Sequence, residues 1–383
     1  MKKLNAGLIG YKFMGRAHSN AFRQVNHFFN ADAEIVLKAL CGRDESAVRK
    51  AAAKFGFESC ETDWKKLIER EDIDFVDITV PGNLHSDMAL YAAENKKHIF
   101  CEKPLANNAV EAYEMWQAAK ASGIKHQVGF NYRFVPAILL ARKLIDEGRL
   151  GTIYHFRGLY LQDWIVDPGF PLVWRLDKAV AGSGAHGDIN AHIVDLARFL
   201  VGDMKKVIGM QKTFIRKRPV VETMDGLKAS GSSNLEMGDV TVDDASIFMT
   251  EFNNGALGTF EATRFATGRK NGMSFEINGS RGSVKFEFER MNELQYYNND
   301  DPSTERGFRT ISVTEDAHAY TGNWWPPGHV IGYEHTFVHE IFEFVQSITN
   351  KKATTPDFED GYMCCRILDA VDTSIKEGQW IDV

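Results

Sequence analysis

The first third of the chain alternates short apolar segments with longer mixed ones, and this alternation limits the possible folds more than any other feature of the sequence. The apolar segments have the length of buried strands and span residues 4–9, 34–41, 74–80, 97–100 and 125–130. The segments between them suit helices and span residues 16–25, 45–55, 86–95 and 106–121. Strands that alternate with helices in this way predict a doubly wound parallel sheet with right-handed crossovers.

A glycine turn follows the first predicted strand. Residues 10–15 read Gly-Tyr-Lys-Phe-Met-Gly and lead into the first helix. A strand, a glycine turn and a helix N-terminus together bind pyrophosphate, because free backbone N–H groups and the helix dipole face the anion. The usual pattern is G-x-G-x-x-G, and Lys12 stands at the second glycine, where it either adds a charge over the phosphates or merely fits the turn. We predict a dinucleotide site that includes Gly10, Lys12, Phe13 and Met14.

The end of the second strand is where such a fold reads the adenosine ribose. Gly42, Arg43 and Asp44 follow that strand. A small residue followed by arginine leaves room for a 2'-phosphate and offers it a guanidinium, which favours NADP slightly over NAD. In the alternative interpretation, Arg43 stacks on the adenine and Asp44 turns toward the ribose, as NAD would require.

A lysine–proline pair marks the end of the strand at residues 97–100. Proline restricts its own backbone and that of the preceding residue, so Lys103 leaves a rigid corner in one direction. That corner lies at the carboxyl end of the predicted sheet, where open α/β folds place their ligands. We predict that Lys103 contacts a substrate oxygen, and that Glu102 and three residues of the loop at 81–85 lie near the cofactor riboses. The three residues are Pro81, Asn83 and His85.

The remaining two thirds of the chain change character. A helix at residues 135–148 leads into an alternating strand at 153–161, and two hairpin signals follow at 247–262 and 273–289. Two further helices are expected at residues 333–349 and 357–376. The pattern predicts an α+β domain with an open, mainly antiparallel sheet. We therefore expect a Rossmann domain at residues 1–132 and a substrate-binding and oligomerisation domain at residues 133–383.

Composition supports this division and excludes several classes of protein. A chain of 383 residues with 44% hydrophobic residues can form two cores. The net charge of −7 argues against a nucleic-acid partner. The five cysteines show neither a C-x-x-C pair nor metal spacing, and the N-terminus lacks an apolar segment long enough for a signal peptide or a membrane span. A cytoplasmic protein without a membrane partner is expected.

A glycine-rich break at residues 182–187 precedes a helical segment that carries several polar side chains. Asp188 and His192 follow it four residues apart, which places them on one face of a single helix. A histidine with a near-neutral pKa is suited to remove a hydroxyl proton, and an aspartate beside it fixes its orientation. His186, Asn190 and Asp195 are equally polar alternatives. A metal site at the histidines is not expected, because no second ligand cluster lies nearby.

Aromatic and polar side chains are mixed in a way that suits a sugar, whose CH faces stack on rings while its hydroxyls bind polar groups. Residues 160–164 and 174–175 have this composition, as do residues 324–329. We predict substrate contacts by Arg133, Asp163, Trp164 and Arg175. In the alternative interpretation, the tryptophans fill the domain core or contact a neighbouring subunit.

Taken in order, these motifs resemble the Gfo/Idh/MocA oxidoreductase family over nearly the whole chain. The matching pieces are the turn at residues 10–15 with His18, the Glu-Lys-Pro motif at 102–104, Gly184 with Asp188 and His192, and the C-terminal segment 360–383. The resemblance implies NAD(P) in a cleft, a homodimer or homotetramer formed through the second sheet, and Lys103, Asp188 and His192 as catalytic residues. It is greatest to members that oxidise the C3 hydroxyl of glucose-type pyranosides.

The expected activity is therefore an NAD(P)-dependent oxidation of a secondary ring hydroxyl, in a sugar or glycoside, to a ketone. In this mechanism His192 accepts the hydroxyl proton, and Lys103 donates to the developing alkoxide. Two alternatives remain at this stage. One is an inositol-type cyclitol dehydrogenase with the same catalytic residues, and the other is a sugar sensor that binds the dinucleotide without turnover.

Overall fold

The computed structural model describes residues 2–220 and 236–383, and the N-terminal part forms a six-stranded parallel sheet. Its strands are β1 Lys2–Ile9, β2 Ala33–Cys41, β3 Ser59–Glu61, β4 Phe75–Ile78, β5 His98–Cys101 and β6 His126–Val128. The helices between them are α1 Phe13–Phe28, α2 Glu45–Phe55, α3 Trp64–Glu69, α4 His85–Glu94 and α5 Ala109–Ser122. The strand order β3-β2-β1-β4-β5-β6 is that of a Rossmann sheet, which confirms the predicted fold.

A larger mixed sheet of nine described strands lies in the following part of the chain. The helices here are α6 Pro136–Asp146, α7 Lys178–Ala181, α8 Ala185–Asp188 and α9 Asn190–Leu200. The strands are β7 Ile153–Leu161, β8 Met204–Lys212, β9 Lys217–Pro219, β10 Met237–Asp239, β11 Ala245–Phe252, β12 Leu257–Thr263, β13 Gly272–Gly279, β14 Gly282–Glu287, β15 Glu293–Asn298, β16 Arg309–Ser312 and β17 Ile381–Asp382. Strands β9 and β10 form a separate antiparallel pair.

The order of the large sheet is β16-β15-β14-β13-β7-β12-β11-β8-β17. Strand β7 lies between the two predicted hairpins, antiparallel to β13 and parallel to β12. The other neighbouring strands of the sheet are antiparallel. The expected open, mainly antiparallel sheet is therefore confirmed, and β7 separates hairpins that are neighbours in sequence.

Two long helices close the chain, α10 Tyr333–Asn350 and α11 Phe358–Glu377. The protein divides into a first unit, Met1–Asn131 with Gly332–Cys365, and a second unit, Tyr132–Ile331 with Arg366–Val383. Helix α10 belongs to the first unit because its aromatic side chains meet those of the Rossmann sheet. The ring of Phe344 lies 5.5 Å from the rings of both Phe75 and Phe100. The sequence-based division at residue 132 did not anticipate this return of the chain.

One face of the large sheet carries exposed apolar side chains. Met210 on β8 pairs with Ile247 on β11, and Ile208 pairs with Met249 in the same register. Met210, Ile247, Met249 and Leu257 are 66%, 43%, 50% and 55% exposed. Side chains of a strand alternate between the two faces, so Ile247 and Met249 point to the same side of the sheet. We call these four residues the apolar sheet face.

Candidate functional site

The glycine turn of the first unit has the geometry of a pyrophosphate site. Gly10 has a φ of +107°, which glycine adopts without strain. A Cβ atom on Gly15 would lie 2.1 Å from the carbonyl oxygen of Gly10, so only glycine fits there. Lys12 is the N-cap residue of α1, is exposed, and its side chain makes no capping hydrogen bond. The first N–H groups of α1 are therefore suited to bind an anion, and these residues fit a dinucleotide.

The space beside Gly42, which the sequence suggested for a 2'-phosphate, is filled by an aromatic ring. A Cβ atom on Gly42 would lie 2.1 Å from Cε1 of Tyr11. Asp44 caps α2, since its Oδ1 accepts the N–H of Ala47 at 2.9 Å. Arg43 is exposed. Glycine at this position therefore accommodates Tyr11, and the predicted cofactor contacts of Gly42, Arg43 and Asp44 stay predictions.

The loop after β4 is braced by a buried histidine. The two ring nitrogens of His85 lie 2.8 Å from the carbonyl oxygen of Val80 and 3.0 Å from that of Pro104. His85 is 1% exposed, whereas Asn83 is exposed and Pro81 is half-buried. His85 thus links this loop to the lysine–proline corner. The predicted cofactor contacts of the three loop residues stay predictions.

The lysine–proline corner rests on a buried network of charged groups. The Lys103–Pro104 peptide is cis, and Lys103 itself is half-buried. The carboxylate of Glu102 accepts the backbone N–H of Lys103 at 3.1 Å and lies 3.0 Å from Nε2 of His18. Nδ1 of His18 lies 2.8 Å from Oδ2 of Asp77. Each ring nitrogen of His18 thus faces a carboxylate oxygen, an arrangement that an imidazolium, with two N–H donors, satisfies completely.

The environment of His18 supports that charge. Burial alone would lower the pKa of His18, but the charge and hydrogen bond of Asp77, together with those of Glu102, raise it well above its usual value. Glu340 of α10 is also buried, and neither of its carboxyl oxygens has a hydrogen-bond partner among the described residues. Burial raises the pKa of Glu340 well above its usual value, which favours the neutral acid. The predicted contact of Glu102 with a ribose stays a prediction.

The sequence predicted one continuous helix that carries both Asp188 and His192. In the structure of the second unit, the two residues lie on two consecutive helices. Helix α8 ends at Asp188, and α9 begins at Asn190. The carboxylate of Asp243 accepts the N–H groups of Gly184 and His186 at 2.7 and 2.8 Å, which fixes the start of α8. Ile189, between the two helices, keeps a right-handed helical backbone, and its N–H bonds the carbonyl oxygen of Ala185 at 3.2 Å.

Asp188 lies among arginines. Its Oδ2 is 2.6 Å from Nη2 of Arg264, which is fully buried and whose guanidinium lies 5.2 Å from the ring centroid of Trp164. The guanidinium of Arg175 lies 4.3 Å from the ring centroid of Trp174. Burial lowers the pKa of Arg175, and the nearby carboxylate of Asp188 opposes this effect. The ion pair with Arg264 fixes the Asp188 carboxylate in one orientation.

His192 begins a line of aromatic and polar side chains. Its ring is stacked on Tyr132, with centroids 4.4 Å apart. The hydroxyl of Tyr160 donates a hydrogen bond to Asn271 Oδ1 at 2.8 Å. The hydroxyls of Tyr132 and Tyr160 lie 2.7 Å apart, and because the proton of Tyr160 is already used, Tyr132 is the donor in this contact. Two further bonds complete the line, from Gln162 Nε2 to Asn271 Oδ1 at 3.2 Å and from Trp164 Nε1 to Gln162 Oε1 at 2.9 Å. We call these six residues, from His192 to Trp164, the aromatic–polar line.

Two predicted substrate residues have partners within the protein. Asp163 lies 2.8 Å from Nζ of Lys270, whose hydrogen bond lowers the pKa of Asp163. The buried guanidinium of Arg133 pairs with both carboxylate oxygens of Asp195, at 2.8 and 2.6 Å. Trp164 packs partly on the apolar cluster around Ile165. Their contacts with substrate stay predictions.

Three residues of the second-unit site were not selected from the sequence. Tyr132 lies four residues after the end of β6 and two after the predicted strand end at residue 130, so its position near a strand end was an available signal. Arg264 likewise directly follows the last residue of β12. Asn271 precedes β13 and carries no local signal, because its role depends on hydrogen bonds to residues more than 100 positions away.

Three further features concern metal ligands, membrane-spanning helices and cysteines. Within residues 2–220 and 236–383, no group of three or more His, Cys, Asp or Glu side chains is arranged to hold a metal ion. The helices of the same ranges include none that is both long and apolar enough to cross a membrane. All five cysteines are free thiols.

Both parts of the chain match known protein families. Residues 4–130 match the oxidoreductase family with an NAD-binding Rossmann fold, and residues 138–285 match the GFO/IDH/MocA C-terminal domain. Levoglucosan dehydrogenase of Pseudarthrobacter phenanthrenivorans is 44% identical over 386 residues, which cover 100% of this chain and 99% of the relative. Inositol 2-dehydrogenase of Rhizobium meliloti is 27% identical over 381 residues, covering 98% of each chain.

Solved structures with a fold similar to that of this chain include oxidoreductases of the same kind. An oxidoreductase domain protein from Kribbella flavida has a TM-score of 0.95 and 50% identity, with 100% of both chains covered. A levoglucosan dehydrogenase in complex with NADH and levoglucosan has a TM-score of 0.94 and 44% identity, with 100% of both chains covered.

The Rossmann sheet, its glycine turn and the matching family models together define an NAD(P)-dependent oxidoreductase that acts on CH–OH groups. The chain belongs to the Gfo/Idh/MocA family. The matching domain is an NAD-binding one, and the expected lean toward NADP finds no support.

Proposed function

We propose that this protein is an NAD-dependent dehydrogenase that oxidises a secondary ring hydroxyl, at C3, of a glucose-type pyranose or glycoside to a keto sugar. The observation that carries the proposal is the aromatic–polar line from His192 to Trp164, which places aromatic rings and hydrogen-bonding side chains side by side. A pyranose needs both kinds of contact. Full-length identity of 44% with a levoglucosan dehydrogenase supports the same substrate class.

In this proposal His192 is the general base that accepts the hydroxyl proton. Asp188 orients His192 and binds the neighbouring hydroxyl, a role that suits a carboxylate fixed by Arg264 at 2.6 Å. Lys103 donates a hydrogen bond to the oxygen as negative charge develops there. When bound, NAD supplies the hydride acceptor. The residues of this chain thus supply proton acceptance, orientation and charge stabilisation.

The first unit is proposed to bind the dinucleotide. Gly10, Lys12, Phe13 and Met14 form the turn before and at the start of α1, whose N–H groups suit the pyrophosphate. The second unit is proposed to bind the sugar, with Trp164 and Arg175 beside the Asp188–Arg264 ion pair. We therefore propose that residues 1–132 bind the dinucleotide and that residues 133–383 bind the sugar.

The test is reduction of NAD⁺ by the purified protein with a panel of levoglucosan, methyl glucosides, glucose and myo-inositol. Turnover is expected with the pyranosides, and carbon NMR of the product should place the new ketone at C3. A ketone at another carbon would overturn the C3 assignment alone. Absence of turnover with every pyranoside, despite measurable NADH binding, would overturn the proposed substrate class.

A cyclitol dehydrogenase is the second candidate. Inositol 2-dehydrogenase of Rhizobium meliloti matches 98% of this chain, and an inositol ring presents the same secondary hydroxyls as a pyranose. Higher kcat/KM with myo-inositol than with any pyranoside in the same panel would favour this candidate.

We also propose that the protein forms a homodimer or homotetramer through the apolar sheet face. Contiguous exposed apolar residues on a soluble enzyme are typical of a subunit interface. Met249→Glu should lower the mass measured by light scattering, because it introduces a charge at the centre of this face. Val110→Glu, at an exposed apolar residue on α5 and so outside the large sheet, is the matched control and should leave the mass unchanged. A monomeric parent protein would contradict the proposal.

A further inference from the structure

We propose that the ring of Tyr11 selects NAD over NADP by filling the place that a 2'-phosphate would occupy. This inference rests on the proposed function, since it concerns the dinucleotide of the same site. In Rossmann folds the adenosine ribose is read by residues that directly follow the second strand. Here that strand is β2, which ends at Cys41, and the next residue is Gly42.

The contact between Tyr11 and Gly42 leaves little space at this position. A Cβ atom on Gly42 would lie 2.1 Å from Cε1 and 2.5 Å from Cδ1 of Tyr11. Both distances are far below van der Waals contact, so the ring lies directly on the glycine backbone. Tyr11 is half-buried there. The strand end therefore presents the edge of a phenol ring in place of the acidic side chain that usually binds the ribose hydroxyls.

The charges around the ring would otherwise accept a phosphate. Nζ of Lys12 lies 5.6 Å from the centroid of the Tyr11 ring, and Arg43 is exposed directly after Gly42. The carboxylate of Asp44 has the opposite effect, because its negative charge repels a phosphate. This carboxylate lies at the N-terminus of α2, where it accepts the N–H of Ala47 at 2.9 Å. A 2'-phosphate carries about 1.5 to 2 negative charges at neutral pH. It would find two cations and one carboxylate nearby, so charge alone does not exclude it.

Shape is therefore the property that decides between the two cofactors. With the Tyr11 ring in place, a ribose with a free 2'-hydroxyl needs less room than its phosphorylated form. Without the ring, the space beside Gly42 is flanked by Lys12 and Arg43 and becomes suited to a phosphate. Tyr11 is a specificity-determining residue in a site that lacks the usual carboxylate at the strand end.

The test measures binding and needs no sugar or turnover. Isothermal titration calorimetry compares ADP-ribose with 2'-phospho-ADP-ribose on the parent protein and on Tyr11→Ala, Tyr11→Phe and Phe13→Ala. The parent protein should bind ADP-ribose at least about tenfold more tightly. Tyr11→Ala should shift this ratio by about tenfold or more toward the phosphorylated ligand, whereas Tyr11→Phe keeps the ring and should keep the ratio.

Phe13→Ala removes the other aromatic side chain of the same turn, which is 54% exposed, and should change the affinity for both ligands equally. Adding Arg43→Ala to Tyr11→Ala should remove the gain in affinity for the phosphorylated ligand. If a folded Tyr11→Ala variant binds the two ligands with the same affinity ratio as the parent protein, the role of Tyr11 is overturned. Failure of the parent protein to bind ADP-ribose at all would overturn the proposed function as well.

Discussion

His18 offers the sharpest test of the buried charges beneath the lysine–proline corner. Its imidazolium bonds Asp77 at 2.8 Å and Glu102 at 3.0 Å, and the side-chain exposures of these three residues are 0%, 0% and 6%. His18→Asn removes the positive charge and leaves two carboxylates in a nearly water-free site. Removal of one partner from a buried ion pair costs about 3–5 kcal/mol. We expect a loss of this size in the free energy of unfolding near pH 6.

The loss should depend on pH in a defined direction. The pKa of His18 in the folded protein lies well above the value of about 6.5 expected in the unfolded chain. Its stabilisation is therefore complete below about pH 6.5 and is lost as the pH rises through the raised pKa. The difference in stability between the parent protein and His18→Asn should shrink steadily as the pH increases above about 6.5.

Urea unfolding at several pH values between about 6 and 9 measures this difference, and NMR of nitrogen-labelled histidine reports the charge of His18 directly. His126→Asn is the matched control. Burial lowers the pKa of His126 to about 4, so its contribution varies only below about pH 6.5 and is constant above it. A neutral His18 ring in the NMR spectrum at about pH 7 would refute its charged state.

The other predictions concern the second unit. His192→Ala should lower kcat about 100-fold or more with little change in NADH affinity, whereas alanine at the exposed His155 should change neither value. Arg264→Met removes the 2.6 Å partner of Asp188 and should lower kcat at least about tenfold, because the carboxylate loses its fixed orientation. Arg281→Met breaks an exposed ion pair with Asp300 and serves as the matched control. Normal turnover by His192→Ala would make Lys103 the next candidate for the base.

The parts of the fold that depend on local periodicity were predictable from the sequence. The glycine turn, the first parallel strands and the lysine–proline corner follow from apolar segments and from the backbone limits of glycine and proline. Strand β3 and helix α3 were missed because three and six residues are too short to show a period. The position of β7 was missed because strand order depends on pairing between segments far apart in sequence.

At the site too, contacts between side chains far apart in sequence could not be predicted. Gly42 was interpreted as open space, because a sequence does not reveal that the ring of Tyr11, 31 residues earlier, lies on it. The His18 network joins residues of α1, β4 and the segment after β5, and only the folded sheet brings them together. Asp188 and His192 were identified by their four-residue spacing, but the helix boundary at Ile189 between them has no signal in the sequence.

The return of α10 to the Rossmann sheet has a consequence for synthesis of the protein. Phe344 of this helix covers Phe75 and Phe100, so a chain that ended at residue 131 would leave aromatic surface open to water. A ribosome makes the second unit's residues 132–331 before it reaches this helix. The N-terminal unit therefore begins to leave the ribosome first but lacks its last helices until all of residues 132–331 have been made. During that interval the uncovered apolar surface of its sheet favours aggregation.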